Sequence, residues 1–518
     1  MSPWILFAFV VGYFALLLAV AYYTSRNSNN DTFFIGNKNS NWMLVAFGMI
    51  GTSLSGVTFV SVPGGVGDFA GGSFKGFAYM QVAIGYLIGY AVIAFVLLPL
   101  YYRLNLTSIY NYLQHRFGNI AYKTGALFFI ISRTAGATAR LYLVINILQF
   151  FILDKMGVPF IVTTALILLM ILLYTFEGGV KTIVYTDTLQ TTLMVGGLIV
   201  CVIYILHHLH IGGVEALSQM REKGYLNVFN TDVNSKGFFL KQIVGGAFIT
   251  IAMTGLDQEM MQKNISVKRL GDSQKNVMTM AVVMFGVLFL FLMLGGLLYM
   301  FVLSKGGAYT DITGEAGVVK ELLVPDPAHA GQMLHVIGDI IFPSVAMNFL
   351  PSSITIIFII ALISALFPSA DGALTALTSS FCIDILGLQK RTDMNEKAKK
   401  RTRLSVHFSF AFVFLICIII FHIINNNSII DVILDLAGYT YGPLLGLFAF
   451  GIFTRRQLPN SYAITAISLV APVLCYIISR NAAHWFGGFQ IGIELLLLNG
   501  LLTWLGLLLI SKRSGSVN

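Results

Sequence analysis

Residues 48–67 read G-M-I-G-T-S-L-S-G-V-T-F-V-S-V-P-G-G-V-G, and this stretch decides the fold. It lies inside a long apolar run, 42–70, yet glycine, serine and threonine crowd its middle. A continuous membrane-crossing helix does not need such a centre. A segment of this kind unwinds at mid-bilayer, leaving carbonyls for an ion and amides for a substrate. The plainer reading is a small-residue face that lets helices pack closely.

The rest of the chain agrees with a membrane setting. Of the 518 residues, 57% are hydrophobic and 11% charged, and the mean hydropathy is +0.81. A soluble domain carries about 25% charged residues, and disorder requires low hydrophobicity, so both classes are excluded. Apolar stretches fall at approximately 3–23, 42–70, 76–101, 121–154, 157–176, 181–206, 237–262, 276–304, 344–386, 402–424, 429–454, 459–481 and 489–511. A crossing helix needs about 20 apolar residues. The expected fold is therefore an all-α integral membrane protein of about 13 transmembrane helices, numbered zero to twelve, in one polytopic domain over 1–518. Runs 42–70 and 344–386 are too long for a straight crossing and read as tilted or broken. The first stretch lacks a basic leader and a small-residue cleavage site, so it reads as a retained helix.

The formal charge of +9 does not point to nucleic acid, because the basic residues cluster in short loops between apolar runs. Lys and Arg are richer on the side that holds the C-terminus, which places the N-terminus outside and the C-terminus in the cytoplasm. Lys397, Lys399, Lys400, Arg401 and Arg403 carry much of that bias and read as a cytoplasmic anchor. The four cysteines, Cys201, Cys382, Cys417 and Cys475, sit in apolar stretches and read as small buried hydrophobes. There is no phosphate loop, no His/Cys ligand cluster and no nucleophile elbow. Whatever the chain does, it does between its helices.

Ionisable groups at membrane depth are costly and mark function. Arg133 and Arg140, in S-R-T-A-G-A-T-A-R-L, are seven residues apart and share nearly one helix face. Each is read either as pairing with a structural carboxylate or as receiving an anion, which suits a guanidinium fork. Asp187, in V-Y-T-D-T-L-Q, is surrounded by Thr186, Thr188, Thr191 and Thr192, an oxygen-rich setting for a sodium ion or a proton. A pair with a nearby cation is its alternative. Asp371 lies in S-A-L-F-P-S-A-D-G-A-L-T-A-L-T-S-S, residues 364–380. There Pro368 has no N–H, so the Ser364 carbonyl loses its helical partner and either faces an ion or marks a kink.

These residues resemble the sodium/solute symporter family, which includes bacterial carriers for proline, galactose and sialic acid. The resemblance runs from the first helix to about Arg456. It rests on L-T-S-I-Y-N-Y-L-Q-H-R-F-G at 106–118, G-G-V-K-T-I-V-Y-T-D-T-L-Q at 178–190, D-Q-E-M-M-Q-K at 257–263 and S-Q-K-N at 273–276. Further on come I-F-P-S-V, L-I-S-A-L through C-I-D-I-L, and G-Y-T-Y-G-P-L-L-G-L-F at 438–448.

The resemblance implies the leucine-transporter fold, with two inverted five-helix repeats over 42–206 and 237–454, a leading segment 1–41 and trailing helices 455–518. It implies a conserved sodium site with carbonyls of Gly51, Leu54 and Ala365, together with Pro368 and Ser369. The family usually has a hydroxyl residue where this chain has Pro368, so one side-chain ligand is missing; Ser369 and the Ser364 carbonyl can compensate. Asp187 matches a second sodium site of some members, and Asp371 falls at a position that contributes to it in the sialic acid carriers. Ser53, Ser55, Thr58 and Gln81 match positions that line their pocket, and Arg140 matches the carboxylate-binding position. Arg133 is taken as a further substrate contact.

The function so implied is sodium-coupled uptake of a small organic solute, carboxylate-bearing, such as an acidic sugar, by alternating access in a bacterial-type inner membrane. Sodium is the coupling ion, no organic cofactor is implied, and the partners are solute, sodium and lipid. A neutral sugar or amino acid, or proton coupling through Asp187 and Asp371, is the alternative. An intramembrane enzyme would need a His, Cys or Asp pair at catalytic spacing. A sensor would normally append a soluble signalling domain, and only about seven residues follow the last apolar stretch. Neither rival fits.

Overall fold

A computed structural model describes the chain apart from residues 1, 26–39, 71–72, 107, 176–178, 315–316, 328, 330, 425–428 and 513–518. Thr107 and Gly178 of the motifs above lie outside the described residues. In order, the main helices are α1 (Pro3–Ser25), α2 (Trp42–Ser53), α3 (Gly56–Gly64), α4 (Tyr79–Val92), α5 (Asn119–Leu148), α6 (Phe160–Thr175), α7 (Gly179–Leu209) and α8 (Phe239–Thr250). There follow α9 (Gln258–Ile265), α10 (Leu270–Ser304), α11 (Ser352–Ser380), α12 (Glu396–Ile424), α13 (Ile429–Thr440), α14 (Gly442–Phe453), α15 (Ala463–Trp485) and α16 (Leu495–Ile510).

Among the described residues, 8 helices are long and apolar enough to cross a membrane, or up to 11 if each bent pair is one span. Phe160–Thr175 and Leu495–Ile510 are shorter apolar helices. The chain is a multi-pass, mostly helical membrane protein.

The first apolar run breaks where its sequence predicts. α2 and α3 meet at 55°, with Leu54 at φ −90, ψ 77 and Ser55 extended. The last carbonyls of α2 and the first amides of α3 lose their intrahelical partners there. The stretch 237–262, read as one helix, is also broken: α8, prolonged to Gly255, meets α9 at 66°. Asp257 causes the second break by capping α9, its Oδ1 accepting from the backbone N–H of Glu259 at 2.9 Å and of Met260 at 3.3 Å. The run 344–386 is interrupted as well, but ahead of Ser352, where Ile341–Asn348 forms a separate helix and Pro351 caps α11. Pro368 sits inside a helix that continues past it.

The all-α expectation needs one correction. β3 (Ala308–Gly314), β4 (Gly317–Pro325) and β5 (Met333–His335) form an antiparallel sheet in the polar segment after α10, and β1 (Phe69–Ala70) pairs with β2 (Ser73–Phe74) after α3. The β-branched valines of V-V-K-E-L-L-V favour an extended chain in β4.

Small residues set the tight crossings. A Cβ on Gly85 of α4 would stand 2.2 Å from the Ile243 carbonyl of α8, and one on Gly51 of α2 would stand 2.2 Å from Thr191 Oγ1 of α7. Backbones can approach this closely only without side chains between them.

Candidate substrate and sodium sites

The break between α2 and α3 faces a cavity of about 80 Å³. Its wall includes Thr52, Ser53, Leu54 and Thr58 from the broken helix, Tyr79, Tyr86 and Tyr90 from α4, and Arg133 and Arg140 from α5. The hydroxyls of Tyr79 and Tyr86 lie 3.0 Å apart, and Tyr90 donates towards Met284 Sδ at 3.8 Å. Aromatic faces, hydroxyls and guanidinium groups therefore converge on one polar hole within an apolar bundle.

The two arginines have different fates. The Arg133 guanidinium is paired with Glu259 through Nη2, and its Nη1 lies 3.8 Å from Asp257 Oδ2. Tyr441 donates its hydroxyl to the same Asp257 oxygen at 2.8 Å. Arg140, one heptad on, has no carboxylate within 4 Å and no hydrogen-bond partner among the described residues. It is only partly buried, and it faces the cavity.

Of the other residues expected at the substrate, Ser53 and Thr58 line the cavity, while Ser55 and Gln81 do not. Ser55 is buried at the break and accepts from the Phe59 amide through its carbonyl. Gln81 is wholly buried, and its side-chain amide donates to the Ala78 carbonyl at 3.1 Å.

The residues expected to hold sodium come from α2, the break after it, α7 and α11. A Cβ on Gly56 would stand 3.8 Å from the Ala365 carbonyl, so that oxygen lies just across from the break. Ser369 Oγ donates to the Leu366 carbonyl at 2.9 Å and is buried. Gly51 packs on Thr191 of α7, and Leu54 and Pro368 are both buried.

Asp187 is fully buried on α7. Its Oδ2 accepts from Lys263 Nζ at 2.8 Å and from Thr52 Oγ1 at 3.2 Å, and its Oδ1 has no partner among the described residues. Lys263 also reaches Glu259 Oε1 at 3.3 Å and Thr52 Oγ1 at 2.7 Å. Asp371, fully buried on α11, accepts from the Tyr174 hydroxyl at 2.8 Å and from the Gly372 amide, with no cation within 4 Å among the described residues. A carboxylate buried without a cation must take up either a cation or a proton.

Asp257, Glu259 and Lys263 were not singled out from the sequence, although the motif D-Q-E-M-M-Q-K contains all three. The available signals were a helix-capping aspartate and a Glu–Lys pair four residues apart in an apolar setting.

The family model for the sodium:solute symporter family matches residues 33–464. The sodium/sialic acid symporter NanT of Aliivibrio fischeri is 24% identical, over 95% of this chain and 91% of its own. The sodium/sialic acid symporter SiaT of Proteus mirabilis is also 24% identical, over 93% and 91%. A rabbit sodium/glucose cotransporter is 22% identical over 86% of this chain and 68% of its own. In three dimensions, a substrate-bound, outward-open Na+-coupled sialic acid symporter, described as revealing a novel Na+ site, superposes with a TM-score of 0.78. That match covers 98% of this chain and 99% of the other at 20% identity. It establishes the shared fold.

Proposed function

This chain belongs to the sodium:solute symporter family, and we propose that its solute is a carboxylate-bearing sugar of the sialic acid kind. A sodium-coupled carrier moves solute by alternating access. The observation that carries the substrate reading is Arg140: a guanidinium facing the cavity with no carboxylate beside it among the described residues. A planar fork at that place binds a carboxylate through two parallel hydrogen bonds. Ser53, Thr58 and the tyrosines of α4 supply hydroxyls and flat faces for the rest of a sugar. The relatives from Aliivibrio fischeri and Proteus mirabilis support the same solute class.

Ligand pockets usually measure about 300–1,000 Å³, and this cavity is about 80 Å³. Loading a sugar acid therefore requires the helices around it to part. The break in α2–α3 and the bend between α8 and α9 are the natural hinges.

One sodium ion is assigned to the junction of the broken helix and α11, held by carbonyls of Gly51, Leu54 and Ala365 and by Ser369, with Pro368 in place of a hydroxyl. A second is assigned to Asp187 and Asp371. Among the described residues Asp187 Oδ1 has no partner and Asp371 no cation, which supports it. Thirteen spans are assigned, in the leucine-transporter arrangement, with inverted repeats over 42–206 and 237–454. The broken helices α2–α3 and α8–α9, each opening its repeat, support that division. The N-terminus lies outside a bacterial-type inner membrane and the C-terminus in the cytoplasm.

The test is thermal stabilisation of the purified protein by a panel of acidic sugars, neutral sugars, amino acids and short carboxylates, with sodium or choline as the salt. A ligand that binds the native state raises its stability by mass action. An acidic sugar should stabilise in sodium and far less in choline. Stabilisation by neutral sugars alone would overturn the substrate assignment.

A further inference from the structure

Five buried charged groups form an unbroken chain through the centre of the protein. Asp257 is next to Arg133, Arg133 is paired with Glu259, Glu259 lies 3.3 Å from Lys263, and Lys263 lies 2.8 Å from Asp187. None of these side chains is more than 4% exposed. One end reaches the cavity wall through Arg133, and the other reaches the carboxylate assigned to sodium.

The charges along this chain do not balance. Three carboxylates, Asp187, Glu259 and Asp257, stand against the two cations Arg133 and Lys263. The Lys263 ammonium is the mobile member, a compact charge on a flexible stem, whereas the Arg133 fork is planar and rigid. Lys263 rests against two carboxylates and the Thr52 hydroxyl, and leaves Asp187 Oδ1 open.

We propose that Lys263 is a tethered competitor of sodium: its ammonium holds Asp187 in the ion-free protein and withdraws to Glu259 when sodium arrives. The inference rests on the assignment of sodium to Asp187. Two cations cannot share one side of a buried carboxylate without repulsion, and Glu259 offers Lys263 an alternative seat within a small movement. The withdrawal also takes the ammonium from Thr52, which lies in the last turn of α2 next to the cavity residue Ser53. Sodium arrival is thereby reported to the substrate cavity through a contact that exists only without it. Solute and sodium must then favour each other reciprocally.

Sodium titrations of thermal stability, at constant ionic strength in choline, test this on the purified protein without transport. The sodium response at Asp187 is the part lost in Asp187→Asn. Lys263→Met removes the competitor and should lower the sodium midpoint about tenfold, within the usual range of coupling between sites. Lys263→Arg strengthens the competitor and should raise that midpoint. If Lys263→Met does not fold, the rise in Lys263→Arg decides alone. Unchanged midpoints in the variants that fold, with the Asp187→Asn loss intact, overturn the competitor while leaving the sodium site standing. A full sodium response in Asp187→Asn overturns both.

Discussion

Arg133 is bound to Glu259, guanidinium to carboxylate, with side chains 4% and 2% exposed. Both arginines of the α5 face line the cavity, but Arg133 already holds a carboxylate of the protein, so the proposed solute contact rests on Arg140. Breaking a buried pair by removing one partner costs about 3–5 kcal/mol, because the other charge is stranded. Arg133→Met should therefore lower the melting temperature strongly, and Arg133→Met with Glu259→Met should recover much of the loss. Thermal unfolding of the two variants checks this. Equal melting temperatures for Arg133→Met and the wild type would mean that the pair is not structural.

Ser369→Ala should raise the sodium concentration for half-maximal uptake, since it removes the only side-chain hydroxyl assigned to the junction site. Pro368→Ser should lower it by restoring a second one. Uptake into proteoliposomes over a sodium series measures both. An unchanged sodium dependence in Ser369→Ala would move the site elsewhere.

Asp187→Asn keeps the side-chain volume and removes the charge. Sodium cooperativity in uptake should fall while solute binding in saturating sodium survives. Loss of the folded protein instead would assign Asp187 a structural role as the partner of Lys263.

Gly85→Leu should separate α4 from α8, because even a Cβ there would stand 2.2 Å from the Ile243 carbonyl, and backbone cannot step aside as a side chain can. Overpacking of this kind typically costs about 1–3 kcal/mol. Thermal unfolding should show it, with Gly136→Leu, which has open space around it, as the control.

The broken first helix was legible because its glycines and serines are out of place in an apolar run. The second break, at Leu256–Asp257, was not, because the apolar stretch 237–262 resumes with Met260 and Met261 after its aspartate and reads as one helix. That miss hid the site's electrostatics. Glu259 and Lys263 point into the protein only because α9 turns by 66° from α8, so sequence could place Arg133 and Arg140 on one face without showing which of them the protein neutralises. The sheet of β3, β4 and β5 was missed for another reason: its strands show no clean alternation and lie in a segment whose polarity marks it as a loop.

The most direct test of the account is whether Arg140 receives the solute's carboxylate. Binding of N-acetylneuraminate and of its methyl ester should be measured, in sodium, on the wild type and on Arg140→Lys. A charge-assisted hydrogen bond contributes about 1.5–3 kcal/mol, so the wild type should bind the free acid about tenfold to a hundredfold more tightly than the ester, and Arg140→Lys should lose most of that preference. Equal binding of acid and ester by the wild type, or an undiminished preference in Arg140→Lys, would contradict the assignment of an acidic solute to Arg140.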